Sequence, residues 1–175
     1  MHQIFGRLTG RIGLLRRARL KQILRRACKR EDAIKAMSDA ELRSAIDKAR
    51  AQLVITQRSG PALGEALALV RDVSRRTIGL RPHDEQLFAA LTMLSGKLVE
   101  MATGEGKSLA AALTAAVGGL ARLPTHVVTV NDYLAQRDAE EMKPLFDWLG
   151  LSVGSIEHEA TPDERRQTYL RDIVY

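Results

Sequence analysis

Residues 99–109 read VEMATGEGKSL. Two glycines flank a glutamate, and a lysine and a serine follow. The strict phosphate-loop pattern GxxxxGK[ST] requires glycine at position 101, where Met101 stands, but the shorter core is intact in Thr103, Gly104, Gly106, Lys107 and Ser108. On its amino side, GKLVEM (96–101) reads as a short buried strand. On its carboxyl side, KSLAAALTAAVGGLARL (107–123) reads as a helix. Strand, glycine loop and helix in that order form the context in which such a loop cradles phosphate. Gly104 and Gly106 let the backbone turn and bring its N–H groups close to phosphate oxygens. The helix start adds partial positive charge, Lys107 reaches the outer phosphates as a point charge, and Ser108 offers a hydroxyl to Mg²⁺. The alternative is a strand-to-helix turn that happens to hold a lysine.

Working outward, the downstream chain alternates between two periods. THVVTV (125–130) is β-branched and reads as a strand. NDYLAQRDAEEMKPLFDWLG (131–150) reads as a helix capped by Asn131 or Asp132. LSVGSIE (151–157) is a third strand. TPDERRQTYL (161–170) is a helix with Thr161 as cap and Pro162 in its first position, and DIVY (172–175) begins a fourth strand. Strands alternating with helices imply parallel βαβ units. Four strands with one bare end make an incomplete sheet, so the sequence is expected to be a fragment or a truncated product. Tyr133, Phe146 and Trp148 are expected to pack in the core or between helix and sheet.

Upstream the pattern is helical throughout. HDEQLFAALTML (83–94) reads as a helix, and Gln86 on it lies about twenty residues before the lysine of the loop. A glutamine amide both donates and accepts, as reading an adenine edge requires, although a helical glutamine is most often a solvated residue. MSDAELRSAIDKARAQLV (37–54) opens with a capping box in which Ser38 and Glu41 satisfy each other's backbone N–H groups. Leu42, Ala45, Ile46, Ala49 and Leu53 then form one apolar stripe. ALGEALALVRDVSRRTIG (62–79) is another amphipathic helix, stopped near Gly79. Residues 1–30 read as a basic amphipathic helix, best defined from Leu14 onward. Three segments result: the basic helix 1–30, a helical region 31–79, and the loop-bearing domain 80–175.

Bulk composition narrows the function classes. Of the 27 bases, ten lie in residues 1–30 with no acid among them; the rest of the chain carries 17 bases against 21 acids, a net of −4. The basic character therefore belongs to one arm, and an arm of arginines flanking apolar residues suits an anionic lipid surface. Aromatics make up only 4% of the chain, which argues against a nucleic-acid surface built on stacked bases. Cys28 is the only cysteine, so neither an internal disulfide nor a cysteine-based zinc site is expected, and the reducing cytosol is the expected compartment. The longest nearly apolar run, Ser108 to Ala121, is too short to span a bilayer, which takes about 20 residues.

With these residues in place, a family resemblance emerges. LVEMATGEGKSLAAALTA and HVVTVNDYLAQRDAEEMKPLFDWLGLSVG resemble the first nucleotide-binding domain of SecA, the motor of bacterial preprotein translocation. MSDAELRSAIDKARAQL and ALALVRDVSRRTIGLRPHDEQL resemble its helical N-terminal region, and the similarity runs from about Met37 to Tyr175. The resemblance implies an α/β, RecA-like P-loop fold of the helicase type, preceded by an α-helical region. It implies ATP with Mg²⁺ as cofactors, Gly104, Glu105, Gly106, Lys107 and Ser108 as the ATP-binding segment, and Gln86 as the adenine reader. It implies a SecYEG-like translocon and unfolded preproteins as partners, no nucleic acid, and a peripheral position at the cytoplasmic face of the inner membrane.

Departures from the family pattern point to a divergent paralogue. Ala102 stands where the family has arginine, and Ser108 where it has threonine; Ser108 keeps the hydroxyl that magnesium needs. His83 replaces an aromatic beside the base, which bears on nucleotide affinity. The acidic pair that orients metal and water in the family is not found in these residues, so no catalytic residue is assigned, and the chain alone is expected to be inactive. Two other readings stand beside this one. One is a non-catalytic interaction fragment at the membrane surface, and the other is a nucleic-acid helicase fragment, against which VTVNDYLAQRD argues.

Overall fold

In the computed structural model, residues 17–56 and 60–175 are described. Residues 17–28 are helical (α1), followed by α2 (Glu31–Lys35), α3 (Asp39–Ile55), α4 (Gly60–Thr77), α5 (Asp84–Leu94) and α6 (Lys107–Leu120). From there strands and helices alternate: β1 (Thr125–His126), α7 (Asp132–Trp148), β2 (Val153–Gly154), α8 (Pro162–Thr168) and β3 (Ile173–Val174). The part of the expected basic helix in residues 1–16 lies outside the described residues.

Local chemistry sets the helix boundaries. Ser38 Oγ accepts from the Glu41 N–H while the Glu41 carboxylate accepts from the Ser38 N–H, so α3 starts on the expected capping box. Thr161 and Glu164 repeat the arrangement at α8, with proline in the first turn, and Asn131 Oδ1 accepts from Leu134 N at α7. Leu42, Ile46, Ala49 and Leu53 bury one face of α3 against α4.

Two helices lie at the centre. In α4 every residue from Ala66 through Ser74 is buried, and in α6 Leu109, Ala110, Ala112, Leu113 and Ala115–Leu120 are buried. The small alanines of α6 let α4, α5 and the strands approach it from several sides. Against α4 rests α1, whose Ile23 and Ala27 are buried. A Cβ on Gly64 would stand 2.5 Å from Ile23, so glycine sets the closeness of that contact. Two arginines of α3 fasten the carboxyl end of α7: Arg50 donates to the Leu149 carbonyl at 2.7 Å and Arg43 to that of Trp148 at 3.3 Å. Positive side chains at that end also suit the helix dipole.

The sheet is parallel, in the order β1-β3-β2. Thr125 and Val153 both pair with Ile173, and His126 and Gly154 with Val174. The connections α7 and α8 are the helices of two βαβ crossovers, as the alternating pattern implied.

Three expectations need correction. GKLVEM is not a strand: residues 97–102 have no regular structure, and Leu98 is 99% exposed. The expected strand 125–130 is a ladder only at Thr125–His126, extended by one bond from Val127 N to Val174 O; Val128 and Val130 are exposed. A strand's backbone groups are satisfied only by a neighbouring strand, and among the described residues nothing pairs with 98–101 or 128–130. Tyr133 is also outside the core, 69% exposed with Arg137 near its ring. Phe146 does lie in the core, its ring 6.5 Å from that of Tyr175, and half-buried Trp148 packs beneath the Arg43 guanidinium.

Candidate functional site

The loop between α5 and α6 turns on two glycines. Gly104 and Gly106 have φ of 86° and 80°, the left-handed region that side chains disfavour. Gly106 is also the N-cap of α6 and its carbonyl accepts from Ala110 N, so the first helical bond starts there. The N–H groups of the first helical turn have no carbonyl one turn back and are available as donors. Residues 102–105 and 107–108 are exposed, which leaves these donors accessible.

Side chains complete the loop. Lys107 Nζ donates to the Ala102 carbonyl at 3.0 Å and to that of Met101 at 3.3 Å, folding back over the turn. The Glu105 carboxylate accepts from Ala102 N at 2.9 Å, bracing the turn from the other side. Ser108, on the first turn of α6, is exposed.

Gln86 is the sequence-derived candidate whose placement is most informative. It is buried on α5 rather than solvated. Its Oε1 accepts from His83 N and its Nε2 donates to the Glu105 carbonyl, both at 2.9 Å. A Cβ on Gly106 would lie 2.3 Å from Gln86 Nε2, so the glutamine and the glycine fit only together. One amide proton and one carbonyl lone pair remain, the donor–acceptor pair that an adenine edge matches. All six sequence-predicted residues, Gln86 and Gly104–Ser108, thus meet at one place.

The donor set fits a nucleoside triphosphate with its magnesium. Turn and first-turn N–H groups are donors of the kind that bind anions, a lysine lies within the loop, and Ser108 offers an exposed hydroxyl of the kind that ligates magnesium. A Cβ on Gly104 would meet open space, so backbone conformation rather than crowding requires glycine there. Two aspartates near the strands are otherwise engaged. Asp132 accepts from His158 N at 2.6 Å, and Asp172 from both Ser152 N and Ser152 Oγ at 2.7 Å. Among the described residues, no cluster of histidine, cysteine and carboxylate side chains is arranged to hold a metal. No described helix is long and apolar enough to cross a membrane. A groove of about 680 Å³ between α3 and the start of α4, lined by Glu41, Lys48 and Glu65 among others, lies apart from the loop.

The sequence reading missed Arg71. It sits on the inward face of α4, only 3% exposed, and donates to the Pro82 carbonyl and to Asp84, just before Gln86. The available signal was an arginine interrupting the apolar run LALV–VS, followed at once by an aspartate.

Comparison with known proteins agrees with this geometry. A family model described as the SecA DEAD-like domain matches residues 5–175. The protein translocase subunit SecA of Rubrobacter xylanophilus is 43% identical over 156 residues, 89% of this chain and 17% of that protein. That of Clostridium beijerinckii is 41% identical over 157 residues, 90% of this chain and 18% of that protein. The protein translocase subunit SecA 2 of Mycobacterium tuberculosis is 58% identical over 109 residues, 62% of this chain and 14% of that protein. The chain therefore spans less than a fifth of the length of these curated relatives, at 14–18%. With the glycine loop, its partner glutamine and the parallel sheet in one arrangement, the chain belongs to the SecA DEAD-like domain family.

Proposed function

We propose that these residues form the ATP-binding portion of a SecA-type motor, which couples ATP binding and hydrolysis to export of unfolded preproteins through a SecYEG-like channel. The observation that carries the proposal is the Gln86 amide bonded to the Glu105 carbonyl, which joins a base-reading group to a phosphate-binding turn. Gly104, Gly106, Lys107 and the first turn of α6 would hold the phosphates, Ser108 the Mg²⁺, and Gln86 the adenine edge. Bound there, ATP supplies a cleavable phosphoanhydride. The chain's own part is to bind it, orient it and neutralise its charge. Lys107 must leave the Met101 and Ala102 carbonyls to do so, trading two neutral acceptors for charged ones, which are the stronger partners.

In this reading residues 80–175 are the nucleotide-binding part and 31–79 a helical support, and the protein works at the cytoplasmic face of the inner membrane. Contact with anionic phospholipid would run through the exposed Arg17, Arg19, Lys21, Arg25, Arg26 and Lys29 of and beside α1. The apolar Ile23 and Ala27 are already buried against α4, so adhesion by charge rather than insertion fits this helix. No nucleic-acid partner is assigned.

The test is a titration of a fluorescent ATP analogue with Mg²⁺ against the 175-residue chain and its Lys107→Ala variant. Loss of one charge-assisted phosphate contact is expected to weaken binding by about tenfold or more. Equal binding by the two proteins contradicts the loop assignment. A polypeptide of these residues alone is expected to release phosphate no faster than buffer; magnesium-dependent release abolished by Lys107→Ala would overturn that expectation.

A further inference from the structure

We propose that Arg71 is a positioning residue of the nucleotide site: from inside α4 it fixes the first turn of α5, and so holds the Gln86 amide in place against the glycine loop. The inference rests on the reading of that loop as an ATP site.

Arg71 carries its charge into the interior, its side chain only 4% exposed. Its guanidinium reaches four residues on three other segments of the chain. Nε donates to the Pro82 carbonyl at 2.9 Å, Nη2 to Asp84 Oδ1 at 2.9 Å, and Nη1 lies 3.2 Å from Glu31 Oε2 and 3.6 Å from Cys28 Sγ. Arg81 takes Glu31 through two bonds of 2.6 and 2.8 Å, so two cations face two carboxylates and the cluster is neutral. A buried ion pair is weak evidence for stability, because an apolar residue of the same size often does as well. What an arginine adds is a planar fork that fixes distance and orientation together.

Two of those bonds bracket the entry to α5. Pro82 precedes the N-cap His83, and Asp84 is the first residue of the helix. Gln86 follows half a turn later, and its amide is held between His83 N and the Glu105 carbonyl, with one N–H and one lone pair left over. The fit is tight, with 2.3 Å from Nε2 to the place a Cβ would take on Gly106. If the first turn of α5 slides, the amide turns away from the base or strikes the loop. The loop's phosphate donors belong to α6 and its own turn, which touches Gln86 through the single bond at the Glu105 carbonyl and is otherwise held by its own Lys107 and Glu105 bonds.

That separation makes the proposal testable on the 175-residue chain. Affinities for Mg-ATP, Mg-GTP and Mg-tripolyphosphate are measured by competition titration for the wild type, Arg71→Lys, Asp84→Asn, Gln86→Ala and the Arg71→Lys/Gln86→Ala double variant. Asp84 is largely exposed, so Asp84→Asn probes the link without emptying the core. Arg71→Lys and Asp84→Asn are each expected to weaken ATP about five- to tenfold, the net value of a hydrogen bond or two. The preference for ATP over GTP is expected to collapse in both, tripolyphosphate affinity to stay within about twofold, and the double variant to bind ATP no worse than Gln86→Ala, because the two residues act in series. Equal losses for ATP and tripolyphosphate would reduce Arg71 to a general structural role and overturn the proposal. Unchanged ATP affinity in both single variants, or losses that multiply in the double variant, would overturn it as well. If the wild type binds tripolyphosphate no better than Lys107→Ala, the loop reading itself fails, a result distinct from the others.

Discussion

The helical part, residues 17–94, and the sheet part, residues 95–175, satisfy their backbones in different ways. In the first part each helix makes its own ladder and needs neighbours only for its apolar face, and α1, α3 and α4 supply one another with such faces. In the second part α6, α7 and α8 do the same, but each strand bond crosses to a strand brought in from elsewhere in the chain. The result is strands of two residues each, with Leu98, Val128 and Val130 in the open. The candidate site lies where the two parts meet: Gln86 comes from the helical part, and the loop opens α6, which backs the strands.

The largest expected contrast is in packing. Leu67 on α4 is 1% exposed, so Leu67→Ala should destabilise the chain by about 2–5 kcal/mol. Leu98→Ala and Val128→Ala remove exposed side chains and should stay within about 0.5 kcal/mol. Chemical denaturation of the three variants checks this. Equal losses would mean that the sheet edge is packed as tightly as the helices.

Next is the junction. Gly106→Ala must adopt a left-handed φ of 80° and place a methyl against Gln86. It is expected to cost about 1–3 kcal/mol and to abolish nucleotide binding. Thermal melts with and without Mg-ATP would show both effects; a variant as stable and as responsive as the wild type would contradict the fit described.

Caps give a smaller effect and a sharper comparison. Ser38→Ala and Thr161→Ala delete the same capping box. In α3 the helix is part of the core, and the loss should appear in global stability at about 1 kcal/mol. No residue of α8 is buried, so there the loss should appear only as faster hydrogen exchange in α8.

The smallest effect is a pH dependence. The hydrogen bonds from Arg81 hold the Glu31 carboxyl below its ordinary range; the Arg71 charge adds to this and partial burial opposes it. A lowered folded pKa means stability that is present above the unfolded value and lost as pH falls through the folded one. Glu31→Gln should therefore cost under about 1 kcal/mol near neutrality and flatten the acid side of the stability profile below about pH 4. A variant whose acid slope matches the wild type would remove Glu31 from that account.

These contrasts also explain what could be read from the sequence. The caps at Ser38 and Thr161 were legible to the residue, and that of α7 to one of two neighbours, Asn131 or Asp132, because a cap is a bond between near neighbours. The left-handed turns at Gly104 and Gly106 were legible because the spacing of those glycines is the motif. The strands at 96–101 and 125–130 were overread: apolar and β-branched residues show that a strand is possible, while the partner that makes it one lies elsewhere in the chain. Arg71 went unread for the opposite reason. Its partners Cys28, Glu31, Pro82 and Asp84 lie on three other segments, and only the fold brings them to it.

The central claim is that the turn at 104–108, read together with Gln86, is where nucleotide binds. The most direct measurement is a ¹H–¹⁵N correlation spectrum of the chain titrated with Mg-ATP. The account predicts shifts concentrated at the amides of Gly104, Gly106, Lys107 and Ser108 and at the Gln86 side chain, and their loss in Lys107→Ala. Saturating shifts confined to other residues, or the same loop shifts in Lys107→Ala, would contradict it.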